Sequence, residues 1–182
     1  MKTATDRRID LKSRIRTVPH FPRKGVMFKD ITTLLQDADS FRYVVSEMLS
    51  LVKGRKIDKV VSAESRGFIF GSVLAHELGA GFVPLRKPGK LPWKTIREEF
   101  DTEYSRDAFE IHEDAISRGE NVILVDDLLA TGGTMEAAAK LVKRLGGNVI
   151  AILALVELGF LKGRERLKDY DVLTVVNYES GE

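Results

Sequence analysis

Residues 121–134 read NVILVDDLLATGGT and form the most specific pattern in this chain of 182 residues. The apolar run Val122–Val125 predicts a strand buried on both faces, which is typical of a parallel sheet. Asp126 and Asp127 follow it, and carboxylates can accept hydrogen bonds from hydroxyls or help to hold a hydrated metal. A Thr-Gly-Gly-Thr loop (residues 131–134) then opens a helical pattern, where unpaired backbone N–H groups suit phosphate. Phosphate, hydroxyls and a cation together indicate a phosphorylated sugar.

This arrangement differs from two common phosphate-binding motifs. A dinucleotide-binding fold would place G-x-G-x-x-G after the strand, and a P-loop would place G-x-x-x-x-G-K-[ST] there. Neither occurs in this stretch. A plainer interpretation is a buried strand, a turn and a glycine-containing helix start, with both acids merely solvated. Because a turn requires neither paired acids nor threonines around Gly-Gly, the pattern favours phosphate binding.

The composition is that of an ordinary globular protein that can form one domain over residues 1–182. Hydrophobic residues make up 43% and charged residues 31%, and the net charge of +2 is too small to indicate nucleic acid. The absence of cysteine excludes disulfides, thiolate metal sites and a cysteine nucleophile. No apolar run reaches membrane-spanning length and the polar start is no secretory signal, so we expect a cytoplasmic protein with no membrane contact.

Hydrophobic periodicity and glycine stop signals predict alternating strands and helices. The predicted strands are Ile57–Ala63, Gly81–Leu85, Asn121–Val125 and Val149–Val156, and the predicted helices are Phe41–Val52, Phe68–Leu78 and Met135–Leu145. Such alternation implies right-handed crossovers and a parallel sheet covered by helices. Ligands in such sheets bind beyond the carboxyl ends of the strands, so the loops after the strands should gather at one edge.

The 121–134 pattern resembles the phosphoribosyl-pyrophosphate signature of the type I phosphoribosyltransferases: an apolar strand, two acids and a T-G-G-T loop. Neighbouring segments are similar to the adenine phosphoribosyltransferases, and the resemblance covers roughly residues 9–178. It implies an α/β fold with a central, mostly parallel sheet flanked by helices. It also implies a small N-terminal helix and base-binding hood (about residues 1–35), a mobile lid (about residues 95–106) and a homodimer.

The segment ESRGF, residues 64–68, again joins a strand end to a helix. A small glycine-containing turn lets backbone N–H groups approach an anion, and Arg66 adds a fixed charge. The alternative is a capped helix with a solvated arginine. The resemblance implies a pyrophosphate loop containing Ser65 and Arg66, with a cis peptide bond near Glu64-Ser65.

The segment RKPGKLPWK, residues 86–94, carries four cations and no acid. Clustered cations on a Pro/Gly loop can screen a pyrophosphate leaving group. They can equally form a solvated loop, or a weak nucleic-acid patch with Trp93 as a stacking surface. The resemblance to the family's segment before its mobile loop favours pyrophosphate, with Arg86, Lys87 and Lys90 as the binding residues.

Residues 95–106, TIREEFDTEYSR, are polar with few apparent core anchors. A lid that excludes water is one interpretation, and an ordinary exposed loop is the other. The resemblance aligns Glu103 and Tyr104 with the catalytic pair of the family's lid. There the glutamate is proposed to act as acid/base group on the purine, and the tyrosine closes over the ribose. Ser105 stands where the family commonly has glycine, which should stiffen the lid.

The N-terminal stretch Phe21–Asp30 contains Pro and Gly, which argue against regular structure. Phe28 could simply pack into the core. The resemblance instead implies a hood in which Phe28 stacks on adenine and the backbone of Met27 and Lys29 reads its amino-bearing edge. Leu158 matches the residue on the opposite ring face. Residues 161–165, LKGRE, also match family sequence, but no chemistry is assigned to them or to the three histidines.

The resemblance implies a pentosyltransferase that converts adenine and 5-phosphoribosyl 1-pyrophosphate to AMP and pyrophosphate. The 5′-phosphate and ribose would bind to Asp126, Asp127, Ala130, Thr131, Gly132, Gly133 and Thr134. Mg²⁺ would be held through substrate and water, with no direct protein ligand. One alternative is a phosphoribosyltransferase for xanthine, hypoxanthine or guanine. A non-enzymatic sensor of phosphoribosyl pyrophosphate that binds nucleic acid is a more distant one. Such regulators usually need an added DNA-binding domain or a broad basic face, and the chain has neither the spare length nor the net charge for these.

Overall fold

The computed structural model describes residues 8–101 and 106–181, with the backbone alone at Asp101 and Arg106. The strands are β1 (Arg16–Pro19), β2 (Met27–Asp30), β3 (Lys59–Ala63), β4 (Gly81–Leu85), β5 (Thr95–Asp101), β6 (Arg106–His112), β7 (Asn121–Leu129), β8 (Asn148–Leu158) and β9 (Val172–Tyr178). The helices are α1 (Leu11–Arg14), α2 (Thr32–Gln36), α3 (Ala38–Leu51), α4 (Gly67–Leu78), α5 (Gly133–Arg144) and α6 (Gly163–Arg166), with a 3₁₀ turn at Gly159–Leu161.

The centre of the fold is a parallel sheet in the order β4-β3-β7-β8-β9. Strand β7 divides the core because its side chains alternate between the faces. Ile123 and Val125 belong to the apolar cluster that contains α3 and α4. Val122 and Leu124 belong to the cluster that contains α5 and the β5–β6 pair. The predicted α/β fold with a parallel sheet between helices is therefore confirmed.

The bounds of the predicted sheet strands and helices agree within a few residues, with one consequential exception. Strand β7 continues to Leu129, whereas the sequence pattern ended it at Val125. Pairing with β8 extends it, since Asp126 lies opposite Ala154 and Leu129 lies opposite Glu157. The two acids are thus strand residues, fixed by the sheet, and the prediction that they lie beyond the strand end is wrong.

The N-terminal hood contains an antiparallel pair, β1 and β2. The sequence predicted irregular structure for Phe21–Asp30, and this prediction is wrong for Met27–Asp30. The proline and glycine in the stretch concealed the pairing of these residues with β1. Asp30 fixes the hood: its carboxylate accepts from Arg16 Nη2 at 2.5 Å, from Thr32 N at 2.9 Å and from Thr32 Oγ1 at 2.7 Å. These bonds, with that of Arg16 foremost, lower the pKa of Asp30 to about 2.

The polar stretch 95–106 also contains more regular structure than its sequence indicates. Strands β5 and β6 pair antiparallel, from Thr95 opposite His112 to Asp101 opposite Arg106. Phe100 is 9% exposed and stacks on Phe109 with ring centroids 5.1 Å apart, so the expectation of few core anchors is wrong. Glu103 and Tyr104 lie outside the described residues.

Across the described ranges, we find no helix with the length and apolar character needed to cross a membrane.

Replacing Asp30 by Asn should lower the free energy of unfolding at neutral pH by about 1–2 kcal/mol, because the pair with Arg16 is lost. The folded-state pKa is lowered, so this stabilisation is complete above about pH 4 and is lost as the pH falls toward about 2. Chemical denaturation across that range measures it. Asp39→Asn, which removes the exposed pair with Arg42, is the control and should cost under about 0.5 kcal/mol. A difference between Asp30→Asn and wild type that persists unchanged at low pH would contradict the assignment.

Candidate active site

A cavity of about 340 Å³ lies where β3 and β7 end, at the carboxyl edge of the sheet. The loops after these two strands form most of its wall. The residues singled out from sequence that line it are Ser65, Arg66, Lys87, Asp126, Asp127, Ala130, Thr131, Gly132, Gly133 and Thr134. Two loops more than sixty positions apart in the chain therefore meet here, as the rule for parallel sheets predicts.

The Thr-Gly-Gly-Thr loop forms the start of α5, the longest helix on its face of the sheet. Gly132 adopts a left-handed conformation with φ of 83°, which a glycine tolerates without strain. Its carbonyl accepts the first helical bond, from Glu136 N at 2.9 Å. The N–H groups of Gly133 and Thr134 belong to the first turn, where a helix has no internal partners for them. This geometry offers donors and the positive end of the helix dipole to an anion.

Asp126 and Asp127 share one counter-ion, Arg66. The guanidinium Nε of Arg66 lies 2.5 Å from Asp127 Oδ2, and the Asp127 side chain is only 7% exposed. Burial alone would lower the pKa of Arg66, but the charge and hydrogen bond of Asp127 raise it overall. Burial and the charge of Asp127 raise the pKa of Asp126 well above its usual range. Asp126 therefore tends to keep a proton while Asp127 is paired with Arg66.

The start of α4 fits against Asp126 because residue 67 is glycine. A Cβ at Gly67 would lie 2.8 Å from both Asp126 Oδ1 and Ser62 Oγ. Any larger residue would displace the acid or the helix that carries Arg66. The adjacent Arg66 and Gly67 of ESRGF thus bring the cation close to the carboxylates. The peptide bond between Glu64 and Ser65, which precede them, is cis, as the resemblance implied.

Glu64 joins the 64–68 loop to the basic segment, a role that the sequence did not indicate. Its carboxylate accepts from Arg86 Nε at 2.7 Å and from Lys87 N at 2.9 Å. Burial would raise the pKa of Glu64, but these two donors lower it overall. Arg86 is thereby held beside the cavity and is absent from its lining. The only sign of this contact in the sequence was that an acid directly follows the end of a predicted strand.

Lys87 reaches the cavity and meets Asp107 there. The Lys87 Nζ lies 2.9 Å from Asp107 Oδ2, and both residues line the cavity. Burial would raise the pKa of Asp107, but Lys87 and the Ala108 N–H lower it overall. Lys90 lies farther along the same turn, with its N–H bonded to the Lys87 carbonyl at 3.2 Å, and does not line the cavity. Asp107 gave no sequence signal because its partner comes from another loop.

The hood lies next to the cavity through Phe28. The Arg66 guanidinium carbon is 5.9 Å from the centre of the Phe28 ring, and Phe21 meets that ring edge-on at 5.1 Å. Phe28 is only partly buried, so the alternative that it packs into the core is not observed. Met27 precedes it in β2 and is also partly buried.

Lys29 follows Phe28 in β2 and lies on the opposite face of that strand, because successive side chains alternate. Its Nζ donates to Thr17 Oγ1 at 3.1 Å and lies 4.5 Å from the centre of the Tyr178 ring. Tyr178 in turn is the strand partner of Leu158 at the end of β8. The hood residues and Leu158 are therefore brought to one side of the sheet edge, although none of them lines the cavity described above.

Among the residues that the structure describes, no group of three or more His, Asp or Glu side chains could hold a metal ion. The carboxylates of Asp126 and Asp127 are nevertheless oxygen donors of the kind that Mg²⁺ prefers, and Mg²⁺ commonly keeps several waters and binds through substrate phosphates. The residues present fit an ion held mainly by a substrate and by water.

A sequence model described as the phosphoribosyl transferase domain matches residues 29–181. Adenine phosphoribosyltransferase of Thermotoga neapolitana is 54% identical over 170 residues, which is 93% of this chain and 100% of the relative. That of Acidobacterium capsulatum is 55% identical over 168 residues, 92% of this chain and 93% of the relative. The chain belongs to the adenine phosphoribosyltransferases.

Solved structures of adenine phosphoribosyltransferases have the same fold. The Thermoanaerobacter pseudethanolicus structure superposes with a TM-score of 0.89 at 51% identity, covering 92% of this chain and 97% of that one. The Saccharomyces cerevisiae structure, complexed with adenine and an imino-altritol bisphosphate, gives 0.85 at 41% identity over 91% of this chain and 96% of that one.

Replacing Asp126 by Asn should stabilise the protein increasingly as the pH rises from about 4, the ordinary pKa of an aspartate, through neutrality. A carboxyl whose folded-state pKa is raised holds a proton that the unfolded chain has lost, so wild-type stability falls as the pH rises through that range. The amide removes this slope. Unfolding free energies from denaturant titrations at several pH values measure the difference, with Asp39→Asn again as control. A pH-independent difference would show that Asp126 does not titrate in this way.

Proposed function

We propose that this protein transfers the 5-phosphoribosyl group of 5-phosphoribosyl 1-pyrophosphate to adenine, giving AMP and pyrophosphate in purine salvage. The observation that carries the proposal is the cavity itself. One cavity of about 340 Å³ is faced by the anion-binding start of α5, by the acid pair of β7, and by the cations Arg66 and Lys87, in a chain of this family. The single domain over residues 1–182, the homodimer and the cytoplasmic location stay predictions.

The 5′-phosphate would bind at residues 130–134, where backbone N–H groups and the hydroxyls of Thr131 and Thr134 can surround it. Asp126 and Asp127 precede this loop in β7 and line the same cavity, where the ribose would lie. A protonated Asp126 can donate to a ribose hydroxyl, and an ionised Asp127 can accept from one. Fixing phosphate and hydroxyls together would orient the anomeric carbon toward the base.

Pyrophosphate would face Arg66, Lys87 and the backbone at Ser65. These cations would stabilise the negative charge that develops as the bond to the anomeric carbon breaks. Arg86 and Lys90, in the same basic segment as Lys87, would contribute from beside the cavity. Arg86 would have to give up its bond to the Glu64 carboxylate or share this carboxylate with the ligand. Mg²⁺, when bound through substrate oxygens and water, neutralises part of this charge.

Adenine would be held between Phe28 and Leu158, with the backbone of Met27 and Lys29 along its amino-bearing edge. A backbone carbonyl accepts from the 6-amino group and a backbone N–H donates to ring N1. A 6-oxopurine presents the opposite polarity at both positions and would leave buried groups unpaired, which costs about 1–3 kcal/mol for each. This polarity is the physical basis for choosing adenine over hypoxanthine or guanine.

Adenine attacks the anomeric carbon through its ring N9, the bond to pyrophosphate breaks, and the N9 proton must leave. Glu103 is proposed to manage that proton and Tyr104 to cover the ribose. Phe100 and Asp107, which flank their segment in the sequence, both line the cavity and support this arrangement.

The protein should be assayed with adenine, hypoxanthine, guanine and xanthine. The kcat/KM for pyrophosphate release should be at least about 100-fold higher with adenine than with each of the other bases. The measurement couples pyrophosphate release to a colorimetric assay at saturating phosphoribosyl pyrophosphate and Mg²⁺. Preference for a 6-oxopurine would favour the alternative phosphoribosyltransferase, and no turnover with any base would leave a sensor of phosphoribosyl pyrophosphate as the better function.

Replacing Glu103 by Ala should reduce kcat by about 100-fold or more, because a positioned acid/base group is lost. Binding of phosphoribosyl pyrophosphate, measured by calorimetry, should change little because the phosphate loop is untouched. Glu113→Ala, an exposed acid at the end of the same strand pair, is the control and should keep wild-type turnover. Unchanged kcat in Glu103→Ala would remove this residue from the mechanism.

A further inference from the structure

We infer that Gly163 and Arg164 are positioning residues for the phosphate loop, with α6 acting as a platform against which residues 130–132 are held. The inference rests on the proposed function, in which this loop binds the 5′-phosphate. It gives a physical role to the LKGRE segment, to which the sequence alone assigned none.

The contact between platform and loop is backbone against backbone. A Cβ built on Gly163 would lie within 3.0 Å of the Ala130 carbonyl oxygen and 3.2 Å from Gly132 N. In the reverse direction, a Cβ on Gly132 would lie 2.7 Å from the Gly163 carbonyl oxygen. Because the opposing atoms are main chain, no side-chain rotation can relieve such a clash, and the loop itself would have to move.

Arg164 fastens the platform to the sheet. Its Nε and Nη2 bind the two oxygens of Glu157 at 2.7 and 2.8 Å, and its Nη1 donates to the Val172 carbonyl at 2.7 Å. Thr174 Oγ1 donates to the same carboxylate at 2.8 Å. A four-residue helix has almost no internal hydrogen bonding of its own, so this bidentate pair supplies the rigidity.

The ion pair of Glu157 with Arg164 lies between the phosphate loop and the proposed base site. Glu157 is 4% exposed and is the strand partner of Leu129, the last residue of β7 before the loop. Leu158, which follows it, is the proposed contact to adenine. Burial would raise the pKa of Glu157, but Arg164 and Thr174 lower it overall, so the pair stays charged. Arg164 itself does not line the cavity and acts through the loop.

The test compares Gly163→Ala with Gly147→Ala. Gly163→Ala should raise the KM for phosphoribosyl pyrophosphate by at least about 10-fold, since a displacement of under 1 Å is costly at a reacting site. The KM for adenine should stay within about 2-fold, because the atoms nearest a Cβ on Gly163 belong to Ala130 and Gly132 and not to Leu158 or the hood. Calorimetric binding of ribose 5-phosphate should weaken in parallel, which gives a readout that does not depend on turnover.

Gly147→Ala is the matched control because its Cβ would crowd Ile116 and Val142 at 2.8 and 2.9 Å, at the opposite end of α5. It should lower the thermal midpoint without changing the KM for phosphoribosyl pyrophosphate.

If Gly163→Ala does not fold, Arg164→Lys is the second variant, because it keeps the charge but loses the bidentate geometry. It should raise the KM for phosphoribosyl pyrophosphate, with a smaller effect on the KM for adenine. An unchanged KM for phosphoribosyl pyrophosphate in whichever variant folds, or equal changes for both substrates, would overturn the inference. Wild-type protein that binds ribose 5-phosphate but forms no AMP would refute the proposed function and leave the platform testable by binding.

Discussion

The arrangement of the site depends on one electrostatic constraint, the adjacent carboxylates of Asp126, which is partly buried, and Asp127, which is buried. Two adjacent acids taken out of water repel each other and lose hydration, so they require a cation or a proton. Here both solutions are used: Arg66 binds Asp127 at 2.5 Å, and the raised pKa of Asp126 favours its protonated form. The cation can come so close only because Gly67 leaves space for Asp126, which links the geometry of α4 to the acids of β7.

The cations assigned to pyrophosphate show the same principle. In the described part of the chain, Arg66 pairs with Asp127, Arg86 with Glu64, and Lys87 with Asp107. Each of these three cations is thus neutralised by an acid from another segment of the chain, which offsets the repulsion of gathering positive charge without substrate. Pyrophosphate bound to these cations, as proposed, would share them with the carboxylates or replace the carboxylates, so the loss of the ion pairs would offset part of its electrostatic attraction.

Local sequence patterns indicated the core of the sheet because β7 and β8 contain the continuous apolar runs Val122–Val125 and Val149–Val156. They indicated the Thr-Gly-Gly-Thr loop because its donors are backbone groups. Other features depend on contacts that no local pattern contains. The extension of β7 to Leu129 comes from pairing with β8, and the β5–β6 pair is anchored by the stacking of Phe100 on Phe109. Glu64 and Asp107 were missed for the same reason, since each pairs with a cation brought near only by the fold.

In the hood, the side chain of a residue and its backbone can have separate roles. The Nζ of Lys29 is directed to Thr17 and the Tyr178 ring. Burial, followed by the nearby charge of Lys12, lowers the pKa of Lys29, as expected for an amine used in packing rather than in solvent. Recognition of adenine by the backbone at this position would then not depend on this side chain. Base choice would instead depend on how firmly β2 is held, and that is set by the antiparallel partner β1 and by the bonds of Asp30.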